Sequence, residues 1–455
     1  MKRERLGSRL GFILLSAGCA IGIGNVWKFP YMVGQNGGGI FVLIYLFFLI
    51  VMGVPVMTME FSMGRASQKS PAKMYQALEP KGSKWHIHGA ISVIGNYILM
   101  MFYTTVSGWM IYYFVATARG DFKKLDAAGI GTYFNNTLSD EKIMVLYMAI
   151  AVILGFLVCS IGLQKGLEKV TKIMMIALIV IMVALAVNSF FMKGGSEGLK
   201  FYLMPDIEKM KNVGIGNVIV AAMNQSFFTL SLGMGAMAIF GSYIDKDRAL
   251  MGEAVNVALL DTFVAFSSGL IIFPACFAYG VQPDSGPSLI FITLPNIFNN
   301  IPLGQLWGSL FFIFMSFAAL STVLTVFEGI IACTIDILGW TRKKACLING
   351  ILMLVLSLPC ALGFNVLSGI KPFGGSSTIM DLEDFIVSNL ILPLGSLIFI
   401  LFCTRKNGWG WNNFVNEANT GKGLKVQKWM RGYVTYVLPV IVFIVFAIGL
   451  YNFFK

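Results

Sequence analysis

Long apolar stretches, separated by short polar segments that carry glycine or proline, run along almost the whole chain. About 20 apolar residues in an α-helix cross a bilayer core, so each stretch is long enough for one membrane span. The pattern predicts an all-α membrane protein with eleven transmembrane helices, which we number spans 1 to 11. The spans cover residues 10–33, 39–64, 88–118, 143–161, 167–191, 216–241, 250–280, 304–335, 345–364, 382–403 and 432–454.

The composition agrees with lipid as the main solvent of this chain. Of its 455 residues, 57% are hydrophobic and 12% are charged, whereas soluble proteins carry about 25% charged residues. So few charges cannot cover the surface of a soluble particle, which excludes a soluble enzyme, a nucleic-acid binder and a disordered chain. The spans contain no nucleophile–base pair or metal-ligand cluster. We therefore assign no catalytic residue and no cofactor, and expect that the protein is not an enzyme.

Basic residues set the predicted orientation. With the N-terminus in the cytoplasm, about two thirds of the 34 Lys and Arg residues fall in cytoplasmic segments, as the positive-inside rule requires. Eleven spans then place the C-terminus outside. We expect a multi-pass protein of the plasma membrane, the inner membrane of a bacterium, with residues 1–9 as a cytoplasmic segment.

Two spans carry a glycine pair at mid-membrane depth. Span 1 contains Gly22-Ile-Gly24, and span 6 contains Gly233-Met-Gly235. Close helix packing is the common explanation for such a pair. These pairs, however, occupy corresponding places in two sets of five spans, and because five is odd the second set is inverted relative to the first. Interrupted helices at matching positions of inverted halves indicate a transport site.

The sequence therefore predicts an inverted 5+5 repeat in which spans 1 and 6 are broken, followed by one extra helix. Unwound backbone is tolerated inside a membrane only where it lines a cavity, so the two breaks should face each other across one. The predicted units are the segments 10–191, 216–403 and 432–454.

Five ordered motifs give the chain a resemblance to a known family. The strongest are SRLGFILLSAGCAIGIGNVWKFPYMVGQNGGGIF in spans 1 and 2 and QSFFTLSLGMGAMAIFGSY in span 6; MFYTTVSGW, SFAALSTVLTVFEGII and LEDF lie in spans 3, 8 and 10. With these motifs the chain resembles the neurotransmitter:sodium symporter family, and its bacterial amino-acid transporters in particular, over nearly its whole length. The resemblance implies alternating access, Na⁺ as the coupling ion at two sites, and an amino acid as substrate.

The resemblance also implies the ligands of both sodium ions. The first site would use the carbonyl of Ala20, the side chains of Asn25 and Thr229, and a residue of span 7 that is usually Asn in the family. The second site would be a cage of neutral oxygens, three from backbone carbonyls and two from hydroxyls. Its members would be Gly18, Ile21, Ala318, Ser321 and Thr322. Without the motif, such hydroxyls more often bond back to a carbonyl of their own helix.

Asp261 is the nearest polar residue of span 7 to the first site. An intramembrane carboxylate is costly and indicates a functional site by default; a carboxylate paired with a neighbouring helix is the alternative. Family members that need chloride bind it beside the first sodium site, and a fixed negative charge could replace it. We therefore expect Asp261 in the first site and chloride-independent transport.

The predicted substrate is an α-amino acid with an apolar side chain. Its carboxylate would lie against the N–H groups of Ile23 and Gly24, with the Tyr103 hydroxyl as a donor. Monoamine carriers of the family have Asp where this chain has Gly22, so the substrate should bring its own carboxylate. The apolar, Met-containing pocket favours a hydrophobic or aromatic L-amino acid. The expected substrate-binding residues are Ala20, Gly22, Ile23, Gly24, Leu99, Tyr103, Phe228, Thr229, Ser231, Met234, Thr322 and Val326.

The resemblance implies one gate on each side of the site. Outside, Lys28 would face Asp384, with Phe228 in the lid. Inside, Arg3 would reach Asp336. The family usually has Arg at the position of Lys28. A single ammonium cannot make the bidentate pair that Arg makes, so we expect a looser outer gate.

Four further polar residues lie close to the spans. Glu60 in span 2 and Glu328 in span 8 are expected to have hydrogen-bonded structural roles or to line the intracellular pathway. His86 lies just before span 3 and His88 at its first residue, and we expect both to belong to the solvated cytoplasmic loop that joins spans 2 and 3.

Two alternatives remain open. The first is a proton-coupled amino-acid carrier of the same fold, in which Asp261 is the protonated group. The second, from a different class, is a substrate-gated channel or a sensor. Expected partners are the amino acid, sodium and the lipid bilayer, with no nucleic acid. The oligomeric state stays open, a monomer included, since a dimer contact built on the twelfth helix of larger family members cannot form with eleven.

Overall fold

Regular structure is helical in the part of the chain that the computed structural model describes, residues 4–192, 194–280 and 288–454, apart from one bridge between Arg248 and Lys422. The helices, in chain order, are α1 (Arg9–Ala20), α2 (Gly24–Gln35), α3 (Gly39–Ser67), α4 (Pro71–Leu78), α5 (Ile87–Arg119), α6 (Ala127–Ser139), α7 (Glu141–Ser160), α8 (Leu163–Phe190), α9 (Gly195–Leu203), α10 (Ile207–Val213), α11 (Ile215–Thr229), α12 (Ala236–Gly241), α13 (Leu250–Ala278), α14 (Leu289–Asn299), α15 (Gly304–Leu338), α16 (Arg342–Leu362), α17 (Ile379–Thr404), α18 (Trp411–Ala418) and α19 (Met430–Tyr451). The shorter helices α4, α6, α9, α10, α14 and α18 lie between the predicted spans.

The long helices reproduce the predicted spans. Within the described residues, nine of them are long and apolar enough to cross a membrane, namely α3, α5, α7, α8, α13, α15, α16, α17 and α19. Helices α1 and α2 together form a tenth span, bent by 57° at its break. Span 6 is divided into α11 and α12 by residues 230–235. The all-α membrane fold with spans 1 and 6 broken is confirmed. The count of eleven spans stays a prediction, because both pieces of span 6 are too short to be recognised as a membrane span. The boundaries of the predicted units also stay predictions.

The break in span 1 leaves backbone donors that side chains satisfy. Ile21 leaves the helical conformation, with φ −72° and ψ 103°. The Gly22 N–H donates to Asn25 Oδ1 at 3.1 Å, and the Ile23 N–H donates to the Tyr103 hydroxyl at 3.0 Å. A Cβ added at Gly22 would lie 2.4 Å from the Tyr103 hydroxyl oxygen, so only glycine admits this close approach.

The break in span 6 has a different cause. Ser231, Gly233 and Gly235 all have positive φ, at 51°, 103° and 74°, and the left-handed conformation ends a right-handed helix. The freed donors at the start of α12 are taken by one carboxylate from α3. Glu60 accepts hydrogen bonds from the Gly233 N–H at 2.6 Å and from the Met237 N–H at 3.2 Å.

The interior of the bundle lies around α5 and α15. Both are largely buried, and α1 packs against α8, α13 and α15, so the break in span 1 faces the centre. Helices α7, α8 and α16, by contrast, expose apolar side chains such as Leu157, Val180 and Leu347. An apolar outer surface of this kind suits contact with lipid.

One expectation about the segment between spans 2 and 3 is wrong. His88 is buried, and its ring packs edge-on against Tyr75 and Phe399. The reason is that α4 folds back against α5, which begins at Ile87, so His88 lies in the first helical turn and faces the interior. His86 is exposed, as expected, and its Nδ1 lies 2.6 Å from a carboxylate oxygen of Glu79.

Candidate functional site

A small cavity lies between the two breaks. Its volume is about 30 Å³, room for about two water molecules. Ten of the twelve predicted substrate-binding residues line it. The exceptions are Ile23, whose N–H is bound to Tyr103, and Val326, which is buried one helical turn beyond Thr322. Cys19 of α1 and Val387 and Leu392 of α17 also line the cavity, and none of the three was predicted from the sequence.

Asn25, Thr229 and Asp261 meet beside this cavity, each from a different helix. Asn25 Nδ2 donates to Asp261 Oδ1 at 2.8 Å and to Thr229 Oγ1 at 3.2 Å. The Thr229 hydroxyl donates to the other Asp261 oxygen at 3.0 Å. All three side chains are buried. The structure therefore brings together the three side chains predicted for the first sodium site. Ala20, whose carbonyl is the fourth predicted ligand, lines the same cavity.

No positively charged side chain of the described residues pairs with the Asp261 carboxylate of this cluster. A fully buried carboxylate that lacks a counter-charge is very costly. Asp261 therefore needs a cation or a proton at this position.

A second group of oxygens lies where α15 passes the break in span 1. The Ser321 hydroxyl lies 2.9 Å from the Ala318 carbonyl oxygen and 3.4 Å from that of Ile21. The Thr322 hydroxyl lies 3.3 Å from the Ile21 carbonyl oxygen and 3.4 Å from those of Gly18 and Ala318. A hydroxyl has a single proton to donate, so two hydroxyls cannot satisfy all of these lone pairs. The surplus of neutral oxygens suits a hard cation.

The outer side of the site is not closed by the predicted ion pair. Lys28 Nζ lies over the ring of Phe228, 3.5 Å from its centroid. Asp384 accepts a hydrogen bond from Ser388 one turn along its own helix, at 2.6 Å. Lys28 and Asp384 form no ion pair with each other in this part of the described chain, because each is held by another neighbour. A cavity of about 170 Å³ lies above, lined by Lys28, Phe228 and Ser388 among others.

The inner side is held by contacts to the start of α1. Arg3 lies outside the described residues, so its predicted contact with Asp336 stays a prediction; an Asp336 oxygen accepts from the Ser70 N–H at 2.6 Å. Arg5 pairs with Asp245 at 2.6 Å, and Arg9 pairs with Glu253 at 2.9 Å. The first pair ties the N-terminal segment to the region between α12 and α13, and the second ties the start of α1 to the first turn of α13.

Glu168, near the start of α8, adds an anionic cap to α1. It accepts from the Gly7 N–H at 2.8 Å and from the Ser8 hydroxyl at 2.9 Å, while Ser8 in turn caps the helix through the Gly11 N–H. A carboxylate near a helix N-terminus is electrostatically favourable. The sequence analysis missed Glu168, although a carboxylate at the start of a predicted span is itself a signal.

Glu60 and Glu328 both have the hydrogen-bonded positions expected of them. Glu60 holds the break in span 6, as described above. Glu328 accepts from the Tyr243 hydroxyl at 2.6 Å and pairs with Arg342, the first residue of α16, which follows the C-terminal end of α15. Arg342 also contacts Glu4, so this network reaches the N-terminal segment.

Comparisons with known proteins agree with this geometry. A family model described as the sodium:neurotransmitter symporter family matches residues 3–124 and 133–455. The chain is 34% identical to an uncharacterized sodium-dependent transporter of Bacillus subtilis, YhdH, over 99% of both chains. It is 30% identical to an uncharacterized sodium-dependent transporter of Haemophilus influenzae, also over 99% of both. Among solved structures, it is similar to MhsT in complex with L-phenylalanine, with a TM-score of 0.87 and 37% identity over 98% of this chain and 99% of that one.

Proposed function

The chain belongs to the sodium:neurotransmitter symporter family, and from this premise we propose that it couples sodium entry to the uptake of hydrophobic or aromatic L-amino acids by alternating access. It is a multi-pass membrane protein of a transporter family, which is not a class of enzymes. The single observation that carries the proposal is Asp261, buried with Asn25 and Thr229 beside the unwound part of span 1.

Sodium at the first site balances the Asp261 charge. The ion would take oxygens from Asp261, Asn25 and Thr229 and from the Ala20 carbonyl, which are hard ligands for a hard cation. The hydrogen bonds now joining the three side chains would rearrange so that their oxygens turn to the ion. The second ion would be held by the surplus oxygens around Thr322, which link α15 to the break in span 1.

The substrate carboxylate would complete the first sodium shell. Helix α2 starts at Gly24, and its N-terminus carries partial positive charge towards the cavity. The Tyr103 hydroxyl accepts from the Ile23 N–H and keeps its own proton to donate to a carboxylate. An anionic group and a sodium ion in one low-dielectric site attract each other strongly. Each therefore raises the affinity for the other by the same factor.

The substrate side chain would lie among apolar residues. Leu99, Met234, Val387 and Leu392 line the cavity, and Met adapts its shape easily. The cavity is too small for an aromatic amino acid as it stands, so Phe228 and Met234 must move when the substrate enters. L-Phenylalanine, the ligand of the MhsT structure, is the amino acid that we propose to test first.

Asp261 also leads us to propose chloride-independent transport. Chloride beside a sodium site supplies a negative charge, and Asp261 supplies one within hydrogen-bonding distance of Asn25. We further propose that the N-terminus is cytoplasmic and the C-terminus external, and that segments 10–191 and 216–403 are the inverted halves, with 432–454 as the additional helix.

A proton-coupled carrier is the second candidate, because a proton on Asp261 would also remove its charge. Proteoliposomes separate the two. Uptake of labelled L-phenylalanine should follow an imposed sodium gradient at equal pH on both sides, and should saturate with substrate. Uptake driven by a pH gradient in sodium-free choline medium would overturn sodium coupling. Competition by tryptophan, tyrosine, leucine and alanine ranks the side chains, and preference for a charged amino acid would refute the apolar pocket.

A further inference from the structure

Glu383, in the second turn of α17, is a buried carboxyl group outside the transport site described above. It is 4% exposed, and neither of its carboxyl oxygens has a hydrogen-bond partner. Buried polar groups in proteins almost always have such partners, so each exception requires an explanation.

The surroundings of Glu383 hold no compensating charge. From α16, the Cys360 thiol interacts with it, and the same thiol interacts with the Thr105 hydroxyl of α5. Thr105 is buried and also lacks a hydrogen-bond partner. A thiol is a weak partner for either group. In the described part of the chain, no Lys or Arg forms an ion pair with Glu383.

The neighbouring acids of α17 differ from Glu383 in this respect. Asp381 accepts hydrogen bonds from the Thr378 N–H and hydroxyl, and Asp384 accepts one from Ser388. Both are at least partly exposed. Glu383 is thus the carboxyl group of this helix turn that the fold places on the packed side, against α5 and α16.

We propose that Glu383 is a proton-binding site, and that it must carry a proton for the outer half of α17 to pack against α5 and α16 as it does here. An ionised carboxylate in this position would have neither counter-charge nor hydrogen bonds. Binding is the reaction of the carboxylate with a proton from external water, and no other group is changed. The release of that proton requires water, which reaches Glu383 when the start of α17 moves away from its neighbours.

The position of Glu383 links the proton to the outer pathway. The next residue, Asp384, is the predicted outer-gate acid, and Ser388 and Asn389 of the same helix line the outer cavity. A rigid helix carries both faces together, so movement that opens the cavity also disturbs the packed side. That the proton comes from the external side rests on the proposed orientation of the chain. Proton binding itself does not depend on the identity of the substrate.

The packed form holds one more proton than the open form. Raising external pH therefore disfavours the packed form, by up to about tenfold per pH unit, the limit for one proton. Because each transport cycle must close the outer pathway, uptake should fall as external pH rises, and should reach a plateau on the acid side.

The test measures sodium-driven L-phenylalanine uptake into proteoliposomes at a fixed internal pH, with external pH varied from about 5.5 to about 8.5. Glu383→Gln should retain uptake near the acid plateau of the unaltered protein at every pH. Glu208→Gln, which removes an exposed carboxylate from α10, should keep the full pH profile. If Glu383→Gln fails to fold, Glu383→Met replaces it, since an apolar side chain of similar length suits the site.

A second measurement detects the proton directly. Sodium and L-phenylalanine are added to the purified protein in weakly buffered solution with a pH-sensitive dye. Sodium displaces any proton on Asp261 in both proteins, so the exchange due to Glu383 is the difference between them: the number of protons exchanged per chain should differ by up to about one between the unaltered protein and Glu383→Gln. A flat uptake profile in the unaltered protein, or an unchanged profile in Glu383→Gln, would overturn the proposal. Sodium-dependent uptake in those same experiments would leave the proposed function standing, whereas sodium-independent uptake at every pH would refute that function instead.

Discussion

The two ends of the transport site are held by different kinds of contact. At the inner end, where α1 begins, the chain is fixed by two ion pairs, Arg5 with Asp245 and Arg9 with Glu253, and by the Glu168 cap. At the outer end, Lys28 lies over the ring of Phe228 beneath an open cavity. The inner contacts join segments that are distant in sequence through charged groups, whereas the outer contact is one ammonium on one aromatic ring.

The two kinds of contact differ in how much free energy is lost when they break. Opening the inner side must separate Glu253 and Glu168, both buried, from their partners. Losing partners of buried charged groups is costly. Opening the outer side must break the contact of Lys28 with Phe228, and a partly exposed cation–π contact is worth about 0.5–1 kcal/mol. We therefore expect the contact at the outer side to break more easily than the contacts of Glu253 and Glu168 at the inner side.

The largest effect is expected at the centre that both ends enclose. Asp261→Asn removes the charge that sodium balances and should lower sodium-dependent L-phenylalanine binding by about 100-fold or more, corresponding to the ~3 kcal/mol lost when a buried charge pair is broken. Equilibrium binding to the purified protein measures it. Glu141→Gln, at an exposed acid of α7, is the control that should bind normally. Unaltered binding by Asp261→Asn would remove the basis of the first sodium site.

Weakening the inner end should have the next largest effect. Glu168→Gln keeps the shape of the cap but removes its charge, at a cost of about 1–2 kcal/mol for a charge-assisted hydrogen bond. Amide hydrogen exchange in residues 4–20 should then become about tenfold faster as the inner side opens more often. Lys165→Gln alters an exposed charge on the same turn of α8 and should leave exchange unchanged. Equal exchange in both variants would show that Glu168 does not hold α1.

Strengthening the outer end should have a smaller effect. Lys28→Arg supplies a planar group that can reach Asp384 in a bidentate pair, so the outer side should open less readily. Uptake should slow by up to about fivefold, the equivalent of ~1 kcal/mol for a partly exposed pair.

The control for this change is the same variant with Asp384→Asn. If the new Arg acts through Asp384, the double variant should lose the extra slowing, and a double-mutant cycle on the uptake rate measures the coupling. Equal slowing with and without the Asp384 carboxylate would place the effect of the Arg elsewhere.

Removal of chloride is expected to have no effect on the uptake rate. Replacing chloride by gluconate on both sides of the membrane should leave the sodium-driven uptake rate unchanged, because Asp261 already supplies the negative charge beside the first sodium site. Choline replacing sodium is the matched ion change, and should abolish uptake. Loss of uptake in gluconate would contradict the role given to Asp261.

Much of the fold could be predicted because its causes are local in sequence. Apolar stretches of membrane length identify the helices, and the glycine pairs mark where spans 1 and 6 break. The contacts at the inner end could not be predicted in the same way. Glu168 lies about 160 residues from Gly7 and Ser8 in sequence, and no hydrophobic period records such a pairing. His88 was placed wrongly because the pattern does not show that α4 folds back over it.

The same distinction between local sequence signals and packed geometry applies to the site. The side chains that meet at Asp261 could be found because the motifs carry them, and the structure brings Asn25 and Thr229 to it. The outer gate was predicted as an ion pair, but the structure shows each partner of that pair held elsewhere. Lys28 lies over the ring of Phe228, and Asp384 accepts a hydrogen bond from the Ser388 hydroxyl one turn along its helix. Choices between competing partners of this kind depend on the packed geometry.

If sodium and the amino acid share one site beside Asp261, the binding of each must depend on the other. Labelled L-phenylalanine should be titrated into the purified protein at constant pH and ionic strength, with sodium progressively replacing choline, and sodium binding should be measured with and without L-phenylalanine. Sodium should tighten L-phenylalanine binding, and L-phenylalanine should tighten sodium binding by the same factor. Equal L-phenylalanine affinity in sodium and in choline would contradict a shared site.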